Sequence, residues 1–215
     1  MMNLKDFRLI GKKIVCVGRN YRDHAAELNN PVPSKPLLFA KTTNAYVTEN
    51  DGKIQIPDGC ENLHFEVELG VVISKTAKRI TKESAYNYIG GYTIALDMTA
   101  RDIQDELKKA GHPWFLAKSF DTSCPIGQFV GTNVISDPHA VEIFCKLNGS
   151  DRQRSKTDAM IFDVPTLLEY VTRFCTLDTG DLVLTGTPAG VGQCKSGDQL
   201  EIGITGITEA KFQVL

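Results

Sequence analysis

The sequence predicts an α+β fold dominated by β-structure: a mixed, mostly antiparallel β-roll or barrel with helices at its periphery. Three observations carry this expectation. Short β-prone runs closed by turn signals outnumber the segments with helical spacing. The run Leu63–Ile73 (L-H-F-E-V-E-L-G-V-V-I) alternates with period two. A hairpin signal, Asn148-Gly149, joins Val141–Leu147 to Asp151–Ser155.

Taken in order, Lys13–Gly18 (K-I-V-C-V-G) is a short apolar run ending in glycine, most simply a buried strand. A short helix follows, with Asp23 as its cap and Asn29-Asn30-Pro31 as its stop. Pro36–Lys41 reads as a strand, Asn50-Asp51-Gly52 as a turn, and Ile54–Pro57 as a brief edge strand. After the alternating run, Thr81-Lys82-Glu83-Ser84 starts a helix that ends at Gly90-Gly91. Tyr92–Leu96 is a strand that runs into Asp97. Met98–Ala110 is a helix with a Thr99-to-Asp102 capping signal and Gly111 at its end. Pro165–Phe174 has helical spacing, and the tail beyond Asp181 is rich in strands and turns.

At 215 residues the chain is long enough for one well-filled domain, so 1–215 is read as a single unit. A formal net charge of −2 gives no basic surplus for nucleic acid or an anionic membrane. The start, M-M-N-L-K-D-F-R, has no apolar run of the signal-peptide kind, and no 18-residue apolar segment follows. Six scattered cysteines without a C-x-x-C pair argue for reduced thiols, and the expected compartment is the cytoplasm.

The chemistry-bearing residues come from a few places. In an alternating strand Glu66 and Glu68 point the same way, about 7 Å apart. Either that face meets water, or a cation between the two acids keeps both ionised. Asp97, at the end of an apolar strand, is either a helix N-cap or a third acid at the rim of the core. Together these are an all-oxygen set suited to Mg²⁺ or Mn²⁺, with a net −1 that Lys118 would offset unless its ammonium snorkels to water. His24 and Glu27, three apart on a helix, are an ordinary surface pair or the makings of a general base. The loop Gly186–Gly192 (G-T-P-A-G-V-G) is neither a Walker loop nor a dinucleotide fingerprint; it is a tight turn, or a set of N–H groups that with Thr187 holds a small carboxylate.

Six stretches in order resemble the fumarylacetoacetate hydrolase family, in its short acylpyruvase-like branch, over nearly the whole chain. They are Ile14–Tyr21, His24–Glu27, Glu66–Gly70, Gly90–Asp102, Trp114–Asp121 and Leu184–Gly192. The resemblance implies the fold of that family's C-terminal domain. It implies Glu66, Glu68 and Asp97 as Mg²⁺ or Mn²⁺ ligands, with Lys118 beside the metal. It also implies His24 and Glu27 as a dyad on a mobile lid, at about 19–33, that orders over substrate. Arg19, Arg101, Gln104 and Thr187 would line the substrate site, and a homodimer is expected. Phe65 departs from the pattern, since some relatives carry a second histidine there.

The activity this implies first is hydrolysis of an acylpyruvate, a small 2,4-dioxo acid, to pyruvate and a carboxylic acid. Glu27 with His24 would activate the water, while the metal and Lys118 would stabilise the enolate. The alternative uses the same site on oxaloacetate, either releasing CO₂ or interconverting the keto and enol forms. A third possibility, of another class, is a non-catalytic β-roll that binds a partner and is indifferent to chelators.

Overall fold

The computed structural model describes residues 3–27 and 32–215. In chain order, α1 (Phe7–Ile10), β1 (Ile14–Gly18), α2 (Arg22–Glu27), β2 (Leu37–Lys41) and β3 (Tyr46–Thr48) precede β4 (Leu63–Phe65) and β5 (Val67–Ile73). Then come β6 (Ile89–Leu96), β7 (Thr99–Ala100), α3 (Arg101–Ala110), α4 (Phe115–Lys118), β8 (Cys124–Ile126) and β9 (Val130–Gly131). The last third holds β10 (Glu142–Leu147), β11 (Ser150–Lys156), α5 (Val164–Phe174), β12 (Leu182–Leu184), β13 (Gly192–Cys194), β14 (Gln199–Ile204) and β15 (Thr208–Gln213).

These strands build three sheets. A curled, mixed sheet of eight strands runs β2-β1-β12-β5-β6-β8-β3, with β9 also on β6. An antiparallel sheet of four runs β11-β10-β14-β15, and β13-β4-β7 form a small third sheet. The mostly β, mixed architecture expected from the sequence is therefore present. Among the described residues no helix is long and apolar enough to cross a membrane.

The large sheet is buried on both faces. Val67, Leu69, Val71 and Ile73 of β5 pack with Ile143, Ile202 and Ile204 of the four-stranded sheet and with Leu168 and Val171 of α5. On the other face, Val72 joins Ile14, Cys16, Ala95 and Leu184 in a second cluster. Every residue of β5 is buried, so the alternating run does not have the water-facing side that alternation usually marks.

The alternating run also changes sheets in its middle. β5 pairs with β6 in the large sheet (Val67 opposite Leu96), whereas β4 pairs with β7 in the small one (Leu63 opposite Ala100). Both pairings belong to one continuous antiparallel register, which sets Glu66 opposite Asp97. The Asp97 N–H donates to the Glu66 carbonyl at 2.8 Å. The ribbon crosses from one sheet to the other at these two acids.

Four local expectations change. The helix expected over Met98–Ala110 begins at Arg101, because Thr99 and Ala100 pair with β4. Thr99 spends its hydroxyl on Glu66 Oε1, so the capping box is not made, while Gly111 closes the helix at φ 68° as expected. Ile54–Pro57 contributes a single bridge, Ile54 to Val214, and no strand. Gly90 and Gly91 lie within β6, where a Cβ on Gly91 would come within 2.5 Å of the Val130 carbonyl oxygen. Asp23 lies inside the first turn of α2, and the stop at Asn29-Asn30-Pro31 falls outside the described residues. The Asn148-Gly149 hairpin forms, with both residues at positive φ as a two-residue turn of this kind requires.

Leu69 is fully buried at the centre of β5. Leu69→Ala is expected to lower the unfolding free energy by about 2–5 kcal/mol in urea denaturation, through lost burial plus a residual cavity.

Candidate metal centre and substrate cavity

The ribbon register delivers the acids. Glu66 and Asp97 face each other at the crossover, and Glu68, two residues along β5, points to the same side. All three are at most 5% exposed, so this is a core cluster and not a solvated acidic face. One oxygen from each lies within 4.8 Å of the others. Asp97 is not a helix cap.

Three cations meet these acids. Lys118, at the end of α4, donates from Nζ to Glu66 Oε2 at 2.9 Å and to Asp97 Oδ2 at 2.6 Å. Arg101 donates to Glu66 Oε1, and through Nη1 to Gln104 Oε1 at 2.7 Å. Lys41, at the end of edge strand β2, donates to the carbonyls of Met98 and Lys118 and approaches Asp97 Oδ1 to 2.9 Å. That last approach is too bent for a hydrogen bond. Asp97 Oδ1 is a buried oxygen with no hydrogen-bond partner among the described residues. The Lys118 side chain is only 3% exposed, so it does not snorkel to water.

Glu68 is served differently, by the Gly186 N–H at 2.6 Å. Burial pushes its carboxyl well above the usual range, and neighbouring Asp97 and Glu66 push it further. For Glu66, burial raises the value too, but Lys118, Arg101 and His24 outweigh it and hold the carboxyl below the ordinary range. Lys118 shows the counterpart: burial favours losing its proton, yet Asp97 and Glu66 keep it charged to higher pH than usual. The buried all-oxygen donor set and a Glu68 that burial makes reluctant to ionise both fit a hard divalent cation.

Above the acids lies a small cavity of about 50 Å³. Arg19, His24, Arg101, Gln104, Lys118 and Thr187 all line it, so the structure gathers the expected substrate-site residues. His24 Nδ1 lies 3.0 Å from Glu27 Oε2, forming the expected pair, and Glu27 Oε1 accepts from the Gly190 N–H at 3.1 Å. The expected lid is described at 19–27 and 32–33; residues 28–31 lie outside the described residues.

Four residues were not singled out from the sequence, Lys108 of the cavity lining among them. Lys41 carried one usable signal, a lysine closing the apolar strand P-L-L-F-A-K. His64 accepts from Arg101 Nε at 3.4 Å, its Nε2 meets Asn62 Oδ1 at 3.0 Å, and burial with Arg101 holds it down to about 4. Gln153 is buried in the otherwise exposed stretch Asp151–Arg154, and no sequence pattern marks it.

The Glu68 proton is bound more tightly in the folded chain than in the unfolded one. The metal-free fold therefore loses stability as pH rises from the ordinary carboxylate range toward the folded value. Glu68→Gln is expected to raise the thermal midpoint of the chelator-treated protein at neutral pH. It should also abolish the further rise that Mg²⁺ or Mn²⁺ gives the wild type. A midpoint lowered by the substitution in chelator would contradict the assignment.

Comparison with known proteins agrees with this geometry. The fumarylacetoacetate (FAA) hydrolase C-terminal family matches residues 13–215. The chain is 63% identical to the oxaloacetate tautomerase fahd-1, mitochondrial, of Caenorhabditis elegans, over 100% of both chains. It is 49% identical to the oxaloacetate tautomerase FAHD1, mitochondrial, of Homo sapiens, over 95% of this chain and 92% of that one. Among solved structures, a fumarylpyruvate hydrolase from Pseudomonas aeruginosa in complex with Mn²⁺ and pyruvate is 36% identical with TM-score 0.90, over 95% of this chain and 90% of that one. That Mn²⁺ complex and the acidic triad together support a divalent-metal site. The cytoplasmic expectation is overturned, because these tautomerases are named mitochondrial. Scattered free thiols mark a reducing compartment and do not tell one such compartment from another. With the family matched over 13–215 and relatives this similar, the chain belongs to the fumarylacetoacetate hydrolase family and is an enzyme of it.

Proposed function

We propose that the chain is an oxaloacetate keto–enol tautomerase, with release of CO₂ from oxaloacetate as a secondary outlet of the same site. This reverses the order of preference drawn from the sequence. It is supported by the names of the relatives, one of which, 47% identical and from Dictyostelium discoideum, is an oxaloacetate decarboxylase. A mitochondrial location belongs to the same proposal.

The observation that carries it is electrostatic. The cavity has the metal acids on one side and an excess of cations at its rim. Arg19 and Lys108 line it together with Arg101. Burial makes Lys108 easier to deprotonate than usual, and Arg101 and Arg19 add to that effect in spite of Asp105. Arg19 is held at φ 58°, uncommon for a residue with a side chain, and has no ion-pair partner among the described residues. A dicarboxylate answers this pattern, with its 2-oxo acid end toward the triad and its C4 carboxylate toward Arg19 and Lys108.

A divalent cation on Glu66, Glu68 and Asp97, Mg²⁺ or Mn²⁺, would supply Lewis-acid stabilisation of negative charge on the C2 oxygen. The chain's own groups do the rest. The His24–Glu27 pair, whose His24 lines the cavity while the Gly190 N–H holds Glu27, takes a proton from C3. The C–H electron pair becomes the C2–C3 double bond, and charge moves to the C2 oxygen. Lys118 places a buried ammonium there. Protonation of that oxygen gives the enol, and the reverse steps give the keto form. In the decarboxylation outlet the C3–C4 bond breaks instead, and C3 is then protonated.

Acylpyruvate hydrolysis is the second reading, and one observation favours it. A further cavity of about 380 Å³, walled by Leu37, Phe39 and Trp114, meets the site at Lys118 and offers room for an apolar acyl chain. There Glu27 would activate a water for attack at the C4 carbonyl.

The experiment is a side-by-side assay of acetylpyruvate and of oxaloacetate supplied separately as keto and enol forms, with Mg²⁺ and with excess chelator. Metal-dependent keto–enol interconversion as the fastest reaction is the expected result; fastest cleavage of acetylpyruvate would install the second reading. Glu27→Gln is expected to slow interconversion by about 10²–10⁴-fold while calorimetry still shows metal binding. Arg19→Met is expected to raise KM for oxaloacetate about tenfold, the value of one charged hydrogen bond, and to leave KM for acetylpyruvate alone.

A further inference from the structure

Gln153 is fully buried on β11, while its neighbours Arg152 and Arg154 are exposed. Its amide is oriented without ambiguity. Oε1 accepts from the Val67 N–H at 2.8 Å, and Nε2 donates to the Pro188 carbonyl at 2.8 Å. A backbone N–H can only be met by oxygen and a carbonyl only by N–H, so the two contacts fix which end is which. The remaining N–H of Nε2 goes to Thr187 Oγ1 at 2.8 Å. Thr187 therefore accepts from Gln153, and its own hydroxyl proton is left to point elsewhere. Thr187 is 3% exposed and lines the cavity.

From this we infer that Gln153 is a positioning residue that turns the Thr187 hydroxyl proton toward the bound 2-oxo acid. It acts through the hydroxyl and does not touch substrate. Through Val67, which lies between Glu66 and Glu68, it also ties the substrate loop 186–192 to the metal-bearing strand. A second contact braces the same loop against β11, the strand that carries Gln153: Gly190 (φ +96°) packs so closely on Arg152 that a Cβ there would lie 2.0 Å from the Arg152 carbonyl oxygen. The inference rests on the proposed function only in taking a 2-oxo acid as the ligand.

The test is a double-mutant cycle read by calorimetric titration of pyruvate into metal-loaded protein. Thr187→Val is expected to weaken pyruvate binding about tenfold. Gln153→Met should weaken it by a similar factor, and the double variant should be no weaker than Thr187→Val alone. Thr187→Ser, which keeps the hydroxyl, should recover most of the affinity that Thr187→Val loses. If Gln153→Met does not fold, Gln153→Asn gives the same reading, being one methylene too short to span Val67 and Thr187. A Gln153 variant with unchanged affinity would overturn the inference, as would an equal loss whether residue 187 is Thr or Val, which is what a merely structural role produces. A wild type that fails to bind pyruvate would overturn it too. A wild type that binds pyruvate with the expected coupling but leaves both forms of oxaloacetate unconverted would sink the tautomerase reading and leave the Gln153 assignment standing.

Discussion

Three carboxylates share one buried face of a β-ribbon, and much of the site is arranged around keeping them there. Removing an ion from water costs several kcal/mol even after relaxation, unless opposite charge and hydrogen bonds answer it. Lys118 and Arg101 answer Glu66, and Lys118 with Lys41 answers Asp97. These cations come from α4, α3 and β2, so three separate elements are fastened onto the ribbon by the same electrostatic demand. Among the described residues Glu68 has one backbone N–H and no lysine or arginine in contact, whereas each Asp97 oxygen faces an ammonium group. Compensation is incomplete on the side where a cation would bind.

The position of the cluster follows from sheet geometry. A ribbon that leaves one sheet for another must give up its lateral partners at the crossing, and polar side chains there can turn inward without breaking a ladder. Glu66 and Asp97 occupy opposite positions at that crossing and are joined through their backbones. Gly70, one step beyond Glu68 on the same face, is small where Leu182 and Thr93 close in; a Cβ there would lie 2.9 Å from both side chains. The face that holds the acids thus has little spare volume below the site, and its open side is the cavity.

This also explains which parts could be seen in the sequence. Period-two alternation put Glu66 and Glu68 on one side, and the end of an apolar strand located Asp97. Alternation reports which residues share a face; it does not report whether that face is covered, so a water-facing strand stayed a fair alternative. Lys118 stood out as the cation that would offset the three acids. Gln153 could not stand out, because D-R-Q-R-S reads as an exposed strand and only the fold reveals that its third residue turns inward. The Thr99–Asp102 capping signal misled for a related reason: Thr99 has a stronger partner in a buried carboxylate than in a helix terminus.

The three acids and Lys118 do not by themselves choose among hydrolysis, decarboxylation and tautomerisation, because all three pass charge to the C2 oxygen. The substituent at C4 does the choosing. A C4 ketone is an electrophile, and a base beside it can direct water onto that carbon. A C4 carboxylate is already anionic and resists attack, so the same base is left with the C3 proton. Decarboxylation requires that carboxylate to give its electrons to C3 and leave as neutral CO₂. In the proposed orientation Arg19 and Lys108 stabilise its charge in the ground state, and that stabilisation is lost along the path to CO₂. Proton transfer at C3 leaves the C4 charge in place and loses nothing. A cationic rim therefore slows bond cleavage relative to enolisation, which is the physical reason to place tautomerisation ahead of decarboxylation in this chain.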